Sequence, residues 1–300
     1  MSIMDSVEHL SNRLPRFVRH RFNKPAFTLQ PRDFDIIRIV ADHRVIASDD
    51  IQLLVGGSGQ NILRRLQKLF HGGFLDRPRS QRQIGNAPMI YALGQQGAEL
   101  VARETGQKPV LDWAEKNRQL RTHYLEHALM VSRFQVALRH AAASTGTASL
   151  ERWLPDGSIR DAVWVDHHDR RERIPVAPDA FFVLKVLDGP NRGRVHCFLE
   201  ADRGTMTIAR FIAKLRGYFA YWRSGQAQQC LGMKNFLIVT VTSSPERATN
   251  LAKACTAVSD RGLRMFLFGC ERDYLPAARR TVFDAIWRTP ADAISHSLLE

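Results

Sequence analysis

Acidic side chains that could bind a metal ion are concentrated in two neighbouring segments with the composition of β-strands. Residues 176–187 and 194–202 are rich in β-branched and aromatic residues, and a loop dense in turn-forming residues separates them. A turn centred in that loop places Asp179 opposite Asp202, and a register shifted by two residues places it opposite Glu200. Since cross-strand neighbours lie about 5 Å apart, either register brings the three carboxylates together.

Carboxylates that lie this close repel one another unless a proton or a cation neutralises them. A divalent ion such as Mg²⁺ or Mn²⁺ prefers oxygen ligands and can activate a water molecule for attack on a phosphate. We therefore predict a Mg²⁺ or Mn²⁺ site at Asp179, Glu200 and Asp202. A helix predicted from residue 208 carries Lys214, which could stabilise the charge that builds on the phosphate.

This order of residues resembles the restriction-endonuclease-like fold with its PD-(D/E)xK motif. That motif carries a lysine two residues after its second acidic residue. Here that acidic residue is Glu200, and Asp202 occupies the position of the lysine. In some branches of that superfamily the lysine comes from the following helix, and the resemblance then assigns the catalytic lysine to Lys214. The alternative is an acidic patch that pairs with Arg203 and Arg210, because structural ion pairs also cluster carboxylates.

The composition favours a polyanionic partner. The 300 residues carry a net charge of +13, and we predict double-stranded DNA as the partner. No segment approaches the apolar length of a membrane span and the first 15 residues contain no apolar run of a signal peptide, so we expect no membrane and a cytoplasmic, DNA-associated protein. The four cysteines lack CxxC spacing and are expected to be reduced core residues.

Residues 27–108 have the pattern of a winged helix-turn-helix domain. Thr28 is a cap candidate for a helix that runs to about His43, and a second short helix follows Ser48. A third helix begins at Ser58, and strands over 74–77 and 89–93 then bracket a basic loop. In such domains the third helix enters the major groove and the loop, or wing, contacts the backbone or the minor groove.

The third helix is predicted to bury an apolar stripe and to expose a polar face. The stripe comprises Ile62, Leu63, Leu66, Leu69 and Phe70. Gln60 and Asn61 suit the edges of adenine, and Arg64 could reach guanine or phosphate. The remaining cations are predicted phosphate contacts: Arg65, Lys68, Arg79 and Arg82. The alternative is a solvated face on a domain that serves protein contact.

The rest of the chain divides into three further parts. Residues 1–26 form a basic arm that could follow a DNA backbone or remain a flexible terminus. Residues 109–144 are predicted to form a long connecting helix, which could pack on the later sheet or join two subunits of a homodimer. Residues 145–300 are predicted to form a three-layer α/β/α domain of the nuclease-like type.

Within this last domain the expected elements alternate. A polar loop is predicted over 156–173, before the carboxylate-bearing hairpin and its helix. Strands over 235–242 and 263–268 flank a helix over 245–259, and a final helix is predicted over 276–288.

The combination also resembles the plasmid replication-relaxation family. The likeness rests on the pattern FTLQPRDFDIIRIVADHRVIASDDIQLLVGGSGQNILRRLQKLFHGGFLDR and on the later segments PDAFFVL, FLEADRGTM and KLRGYFAYW. It implies a DNA-binding protein of plasmids or mobile elements that acts in replication or relaxation of DNA. Two functions remain open: metal-dependent DNA nicking by the C-terminal domain, and non-catalytic regulation in which that domain serves dimerisation or partner binding.

Overall fold

The chain folds into two units, and each combines helices with β-strands. The computed structural model describes residues 16–19, 28–83, 87–106, 121–167, 170–189, 191–259 and 263–300. The units are Met1–Leu125 and Glu126–Glu300. In the part of the chain so described, no helix combines the length and the apolar character that crossing a membrane requires.

The first unit consists of helices around a small antiparallel sheet. In chain order its elements are α1 (Pro31–Ala41), β1 (Ile46–Ala47), α2 (Ser48–Val55), α3 (Gly59–Gly72), β2 (Leu75–Asp76), β3 (Ile90–Leu93) and α4 (Gln95–Thr105). The sheet has the order β1-β3-β2. The three helices and the two later strands occur where the sequence places them, whereas β1 was not anticipated.

Local chemistry explains where these helices begin and end. The residue that precedes α1 is Gln30, not Thr28 as expected, and its N–H donates to the Asp33 carboxylate at 2.7 Å. Pro31 then occupies the first turn, where a missing N–H costs nothing. Helix α3 is capped by the next residue, Gly73, whose φ of 84° is the left-handed conformation that favours glycine.

The buried apolar side chains of the first unit come from its helices and from its small sheet. Ile36 and Ile37 of α1 are fully buried, as are Ile62 and Leu66 of α3. Leu63 was predicted to belong to this stripe, and that prediction is wrong because Leu63 is 48% exposed. On the helix its position lies at the edge of the arc formed by Ile62, Leu66, Leu69 and Phe70.

The second unit is built on a large mixed sheet. Its elements are α5 (Thr122–Thr145), of which residues 126–145 belong to this unit, β4 (Ala148–Pro155), β5 (Asp161–His167), β6 (Arg170–Val176), β7 (Ala180–Val186), β8 (Gly193–Asp202), α6 (Ile208–Arg223), α7 (Gln226–Leu231), β9 (Leu237–Thr242), α8 (Pro245–Cys255), β10 (Phe266–Cys270), β11 (Trp287–Arg288) and β12 (Ser295–His296). Seven strands form one sheet of order β12-β11-β10-β9-β8-β7-β4. The start of the predicted connecting helix, residues 109–120, lies outside the described residues.

Alternating side chains along the central strands feed two cores, one on each face of the sheet. Phe198 of β8 and Ile238 of β9 pack with α6 and α8 on one face. Leu199 and Val239, one residue further along, pack with α5 and with the segment that ends in β11 on the other face. Helices therefore cover both faces of the sheet, which is the layering that buried, largely apolar strands require.

Two predicted elements of this unit are wrong. Residues 156–173 are not a polar loop, because β5 and most of β6 lie there as a separate two-stranded sheet. Residues 276–288 are not a helix, since they contain only a short 3₁₀ turn at Pro276–Ala278 and strand β11. Their apolar spacing reflects packing on the sheet, and the Trp287 indole N–H donates to the Val282 carbonyl at 2.8 Å.

The cysteines follow the prediction in part. All four are free thiols. Cys197, Cys255 and Cys270 are buried as expected, but Cys230 is exposed at the end of α7.

Candidate functional site

The carboxylate-bearing hairpin adopts the second of the two predicted registers. Ala180 pairs with Leu199, which places Asp179 level with Glu200. The Asp179 N–H donates to the Leu199 carbonyl at 3.0 Å. Glu200 and Asp202 share the face of β8 that carries Phe198, and α6 covers this face.

Glu200 is the most deeply buried of the three acids, with 3% of its surface exposed. Lys214 Nζ lies 2.5 Å from Glu200 Oε2, and the Tyr218 hydroxyl donates to Oε1 at 2.5 Å. Burial raises the pKa of Glu200 to about 7, although the ammonium of Lys214 opposes this rise. Burial alone would lower the pKa of Lys214, but attraction to Glu200 and Asp179 outweighs it and raises that pKa.

Asp179 lies directly before β7 and is held by one side chain of α5 and by the backbone of β8. His127 Nε2 of α5 lies 3.2 Å from Asp179 Oδ1, and the Ala201 N–H donates to Oδ2 at 2.7 Å. Burial favours the neutral acid, but the hydrogen bond and charge of His127 outweigh burial and lower the pKa of Asp179. The same hydrogen bond raises the pKa of His127.

Asp202 has a separate set of partners. Arg247 Nε of α8 donates to Asp202 Oδ2 at 2.6 Å, and the Gly204 N–H donates to Oδ1 at 3.0 Å. Arg247 also donates to the Met206 carbonyl at 2.7 Å, so one guanidinium ties β8, α8 and the loop before α6 together.

These contacts bear directly on the predicted metal site. Each of the six carboxylate oxygens of Asp179, Glu200 and Asp202 accepts a hydrogen bond from the protein. Within the described ranges, no group of three or more His, Cys, Asp or Glu side chains is arranged to hold a metal ion. As arranged, each of the three acids is paired with a side chain of the protein: Asp179 with His127, Glu200 with Lys214, and Asp202 with Arg247.

The cations of this cluster are not all those expected from sequence. Arg203 forms an ion pair with Glu126 of α5, and Arg210 is exposed on α6. Tyr218 could have been found, because it lies one helical turn after Lys214 on the same face. The pairing of Arg247 with Asp202 could not be predicted from local sequence, since the two residues are 45 positions apart.

A second candidate site is the exposed side of α3 in the first unit. Gln60, Asn61, Arg64 and Lys68 are all exposed there. A concavity of about 740 Å³ runs between this side and the start of α1. Its lining residues are Gln30, Pro31, Arg32, Asn61, Arg64, Arg65, Gln67 and Lys68. Arg32, exposed in the first turn of α1, is the cation of this groove that sequence reasoning missed.

The other predicted phosphate contacts have different surroundings. Arg65 forms an ion pair with the fully buried Asp33 and donates to the Thr28 carbonyl at 3.1 Å, so it fastens α3 to the start of α1. Arg79 is exposed in a 3₁₀ helix, Arg79–Gln83, between β2 and β3. The side chain of Arg82 lies outside the described residues. Gln81 anchors this connection, since its side chain bonds the Pro88 carbonyl and the Ile90 N–H.

Part of the basic arm is docked on the first unit. Arg19 donates to the carbonyls of Phe70 and Leu75 at 3.0 and 2.8 Å. Its guanidinium also lies 3.4 Å from the Asp76 carboxylate. Of the arm, only residues 16–19 belong to the described part of the chain. The guanidinium of Arg19 is therefore bound by groups of the protein itself.

Comparison with known proteins identifies the family. The two units define a mixed α and β protein with a basic helix face in one unit and a buried acidic cluster in the other. A family model described as replication-relaxation matches residues 37–235, and the chain belongs to this family. No curated protein and no solved structure matches the chain significantly. Membership associates the chain with replication or relaxation of plasmid or mobile-element DNA.

Proposed function

We propose that this protein binds double-stranded DNA through the exposed side of α3 and acts in the replication or relaxation of plasmid or mobile-element DNA. The observation that carries the proposal is the concentration of amide and cationic side chains, Asn61, Arg64 and Lys68, along a groove that also contains Arg32. Phosphate oxygens are the anions that such a cationic groove would attract.

The proposed roles follow from position along the helix. Gln60 and Asn61 lie in the first turn, where a helix inserted end-on reaches base edges, and both can bond adenine in a bidentate manner. Arg64 lies one turn later and suits guanine or phosphate, whereas Lys68 and Arg32 suit phosphates. In this proposal the first unit is a winged helix-turn-helix domain, with Arg79 on its wing.

We further propose that the second unit does not cut DNA. The competing proposal is metal-dependent nicking with Asp179, Glu200 and Asp202 as ligands and Lys214 as the catalytic lysine. That reaction would require Lys214 and Arg247 to release their acids, because each now occupies a carboxylate oxygen at 2.5 or 2.6 Å. Replacing two such charge-assisted bonds is costly in a buried site. The second unit is then available for dimerisation or for a protein partner.

The test is a comparison of duplex binding by matched variants. A duplex selected from a random pool and a scrambled duplex of equal length are titrated at several salt concentrations. Lys68→Ala should weaken binding to both duplexes and lower the salt slope by about one. Asn61→Ala should cost about 1–3 kcal/mol on the selected duplex only. Arg103→Ala, an exposed arginine on α4, is the matched control and should bind as the wild type does.

The outcomes separate the possibilities. If Arg103→Ala weakens binding as much as Lys68→Ala, the attraction is a property of net charge and not of α3. If Asn61→Ala affects both duplexes equally, the base-reading role of the first turn is wrong.

A further inference from the structure

The β5–β6 ribbon is a separate element whose two faces differ sharply. Val163 pairs with Ile174 across the ribbon, and both are buried against the core that contains α6. At its base, the Asp161 carboxylate accepts hydrogen bonds from Tyr221 at 2.9 Å and from Gln226 at 3.0 Å. The ribbon is therefore fixed to the second unit by apolar contact and by hydrogen bonds.

The other face of the ribbon presents an aromatic side chain between arginines. Trp164 pairs with Arg173, so the two side chains emerge side by side on the outer face. Trp164 is 55% exposed, and the guanidinium of Arg171 lies 5.3 Å from its ring centroid. Arg171 and Arg173 are also exposed. Among the carboxylates whose side chains the structure describes, which do not include Asp166, none forms an ion pair with either of them.

An exposed indole flanked by guanidinium groups is a surface with a specific chemical preference. The flat ring offers a face for stacking, and the guanidinium groups offer charge-assisted hydrogen bonds to phosphate. A ligand that satisfies both has planar rings at intervals along an anionic backbone. The register also places Asp166 across from Arg171, whereas Arg173 lies directly beside Trp164.

We propose that the outer face of the β5–β6 ribbon binds single-stranded DNA, with an unpaired base on Trp164 and the adjoining phosphates on Arg171 and Arg173. A single strand fits better than a duplex, because duplex bases are already stacked on one another and cannot cover an indole without being flipped out. This site is distinct from the α3 groove, which lies in the other unit and is proposed to bind duplex DNA.

Fluorescence anisotropy of a fluorescein-labelled dT15 strand, titrated with the full-length protein, tests this site. Trp164→Ala should raise the Kd for dT15 about tenfold, since base stacking on an aromatic ring is lost. Trp164→Phe keeps an aromatic face and should restore most of the affinity. Arg173→Ala should weaken binding and reduce its salt dependence. Ile294→Ala, which removes another exposed apolar side chain, 65% exposed, should leave the Kd unchanged.

One control variant and the outcomes that overturn the proposal make the result decisive. Arg64→Ala should leave dT15 binding intact while it weakens duplex binding, so failure of the α3 proposal is distinguishable from failure of this one. An unchanged Kd in Trp164→Ala, or no binding of dT15 by the wild type, overturns the proposal. A fall in molar mass by light scattering in both Trp164→Ala and Trp164→Phe would also overturn it, since the ribbon would then be a contact between copies of the chain.

Discussion

Replacing Glu200 with glutamine should change how the stability of the second unit depends on pH. Glu200 is buried against Lys214 and Tyr218, and burial raises its pKa to about 7 from an ordinary value of 4.5. The folded protein therefore holds this proton more tightly than the unfolded chain does. The contribution of this proton to stability is fully present below pH 4.5 and is lost as the pH rises through 7.

The magnitude follows from the difference between the two pKa values. At about 1.4 kcal/mol per pH unit, this difference in pKa means that the wild type loses about 3 kcal/mol of unfolding free energy between pH 4.5 and pH 8. Glutamine has a similar shape and does not titrate. The free energy of unfolding of Glu200→Gln, relative to the wild type, should therefore rise by about 3 kcal/mol as the pH is raised from 4.5 to 8.

Urea unfolding followed by tryptophan fluorescence measures this difference. Four of the five tryptophans lie in the second unit, so the signal reports mainly on the unit that contains Glu200. His127 is present in both proteins, and its own titration largely cancels in the comparison. Glu151→Gln is a suitable control, because Arg194 lowers the pKa of this exposed glutamate and its removal should give no gain as the pH rises. A constant difference between Glu200→Gln and wild type from pH 4.5 to 8 would refute the reasoning.

Two further predictions concern the first unit. Arg65→Ala should lower the free energy of unfolding by about 3 kcal/mol, because it leaves the fully buried Asp33 carboxylate without its cation. A loss of DNA binding with unchanged thermal stability would contradict this structural role of Arg65. Gly97→Ala should lower the free energy of unfolding by about 2 kcal/mol, since its Cβ would lie 2.3 Å from the Phe74 carbonyl oxygen. Gly59→Ala is the control. Its Cβ meets only the end of the flexible Gln52 side chain, so its melting temperature should be nearly unchanged.

Much of the fold could be predicted because local signals and burial agree. Pro31 begins α1, Gly73 ends α3, and the apolar spacing between them places the helices correctly. The hairpin of β7 and β8 was predictable from its β-branched segments and its turn, although two registers were compatible with the sequence.

The failures have physical causes. The apolar residues at 282–287 pack on the sheet, so helical spacing arose there without a helix. In β5 the alternation of apolar residues is obscured because Trp164 points outward, between two arginines, while Val163 points inward. Charge alone predicted Arg65 as a phosphate contact, but its buried ion pair with Asp33 depends on tertiary structure.

The candidate site was predicted as a set of residues and not as a set of contacts. Lys214 does pair with Glu200, and the strand register places Asp179 level with Glu200. The sequence could not show that Arg247 from a later helix binds Asp202, or that His127 binds Asp179. These distant partners decide whether an acidic cluster is free to take up a metal ion.

Incubation of supercoiled plasmid with the purified protein and Mg²⁺ or Mn²⁺ shows whether the protein binds duplex DNA without cutting it. We expect that the plasmid is retarded in the gel and remains supercoiled, that EDTA does not change this, and that Arg64→Ala weakens the retardation. Conversion to open-circular or linear DNA, lost with EDTA and in Asp179→Ala, would instead establish a metal-dependent nuclease. Plasmid that is neither retarded nor cut would contradict the proposed binding of duplex DNA.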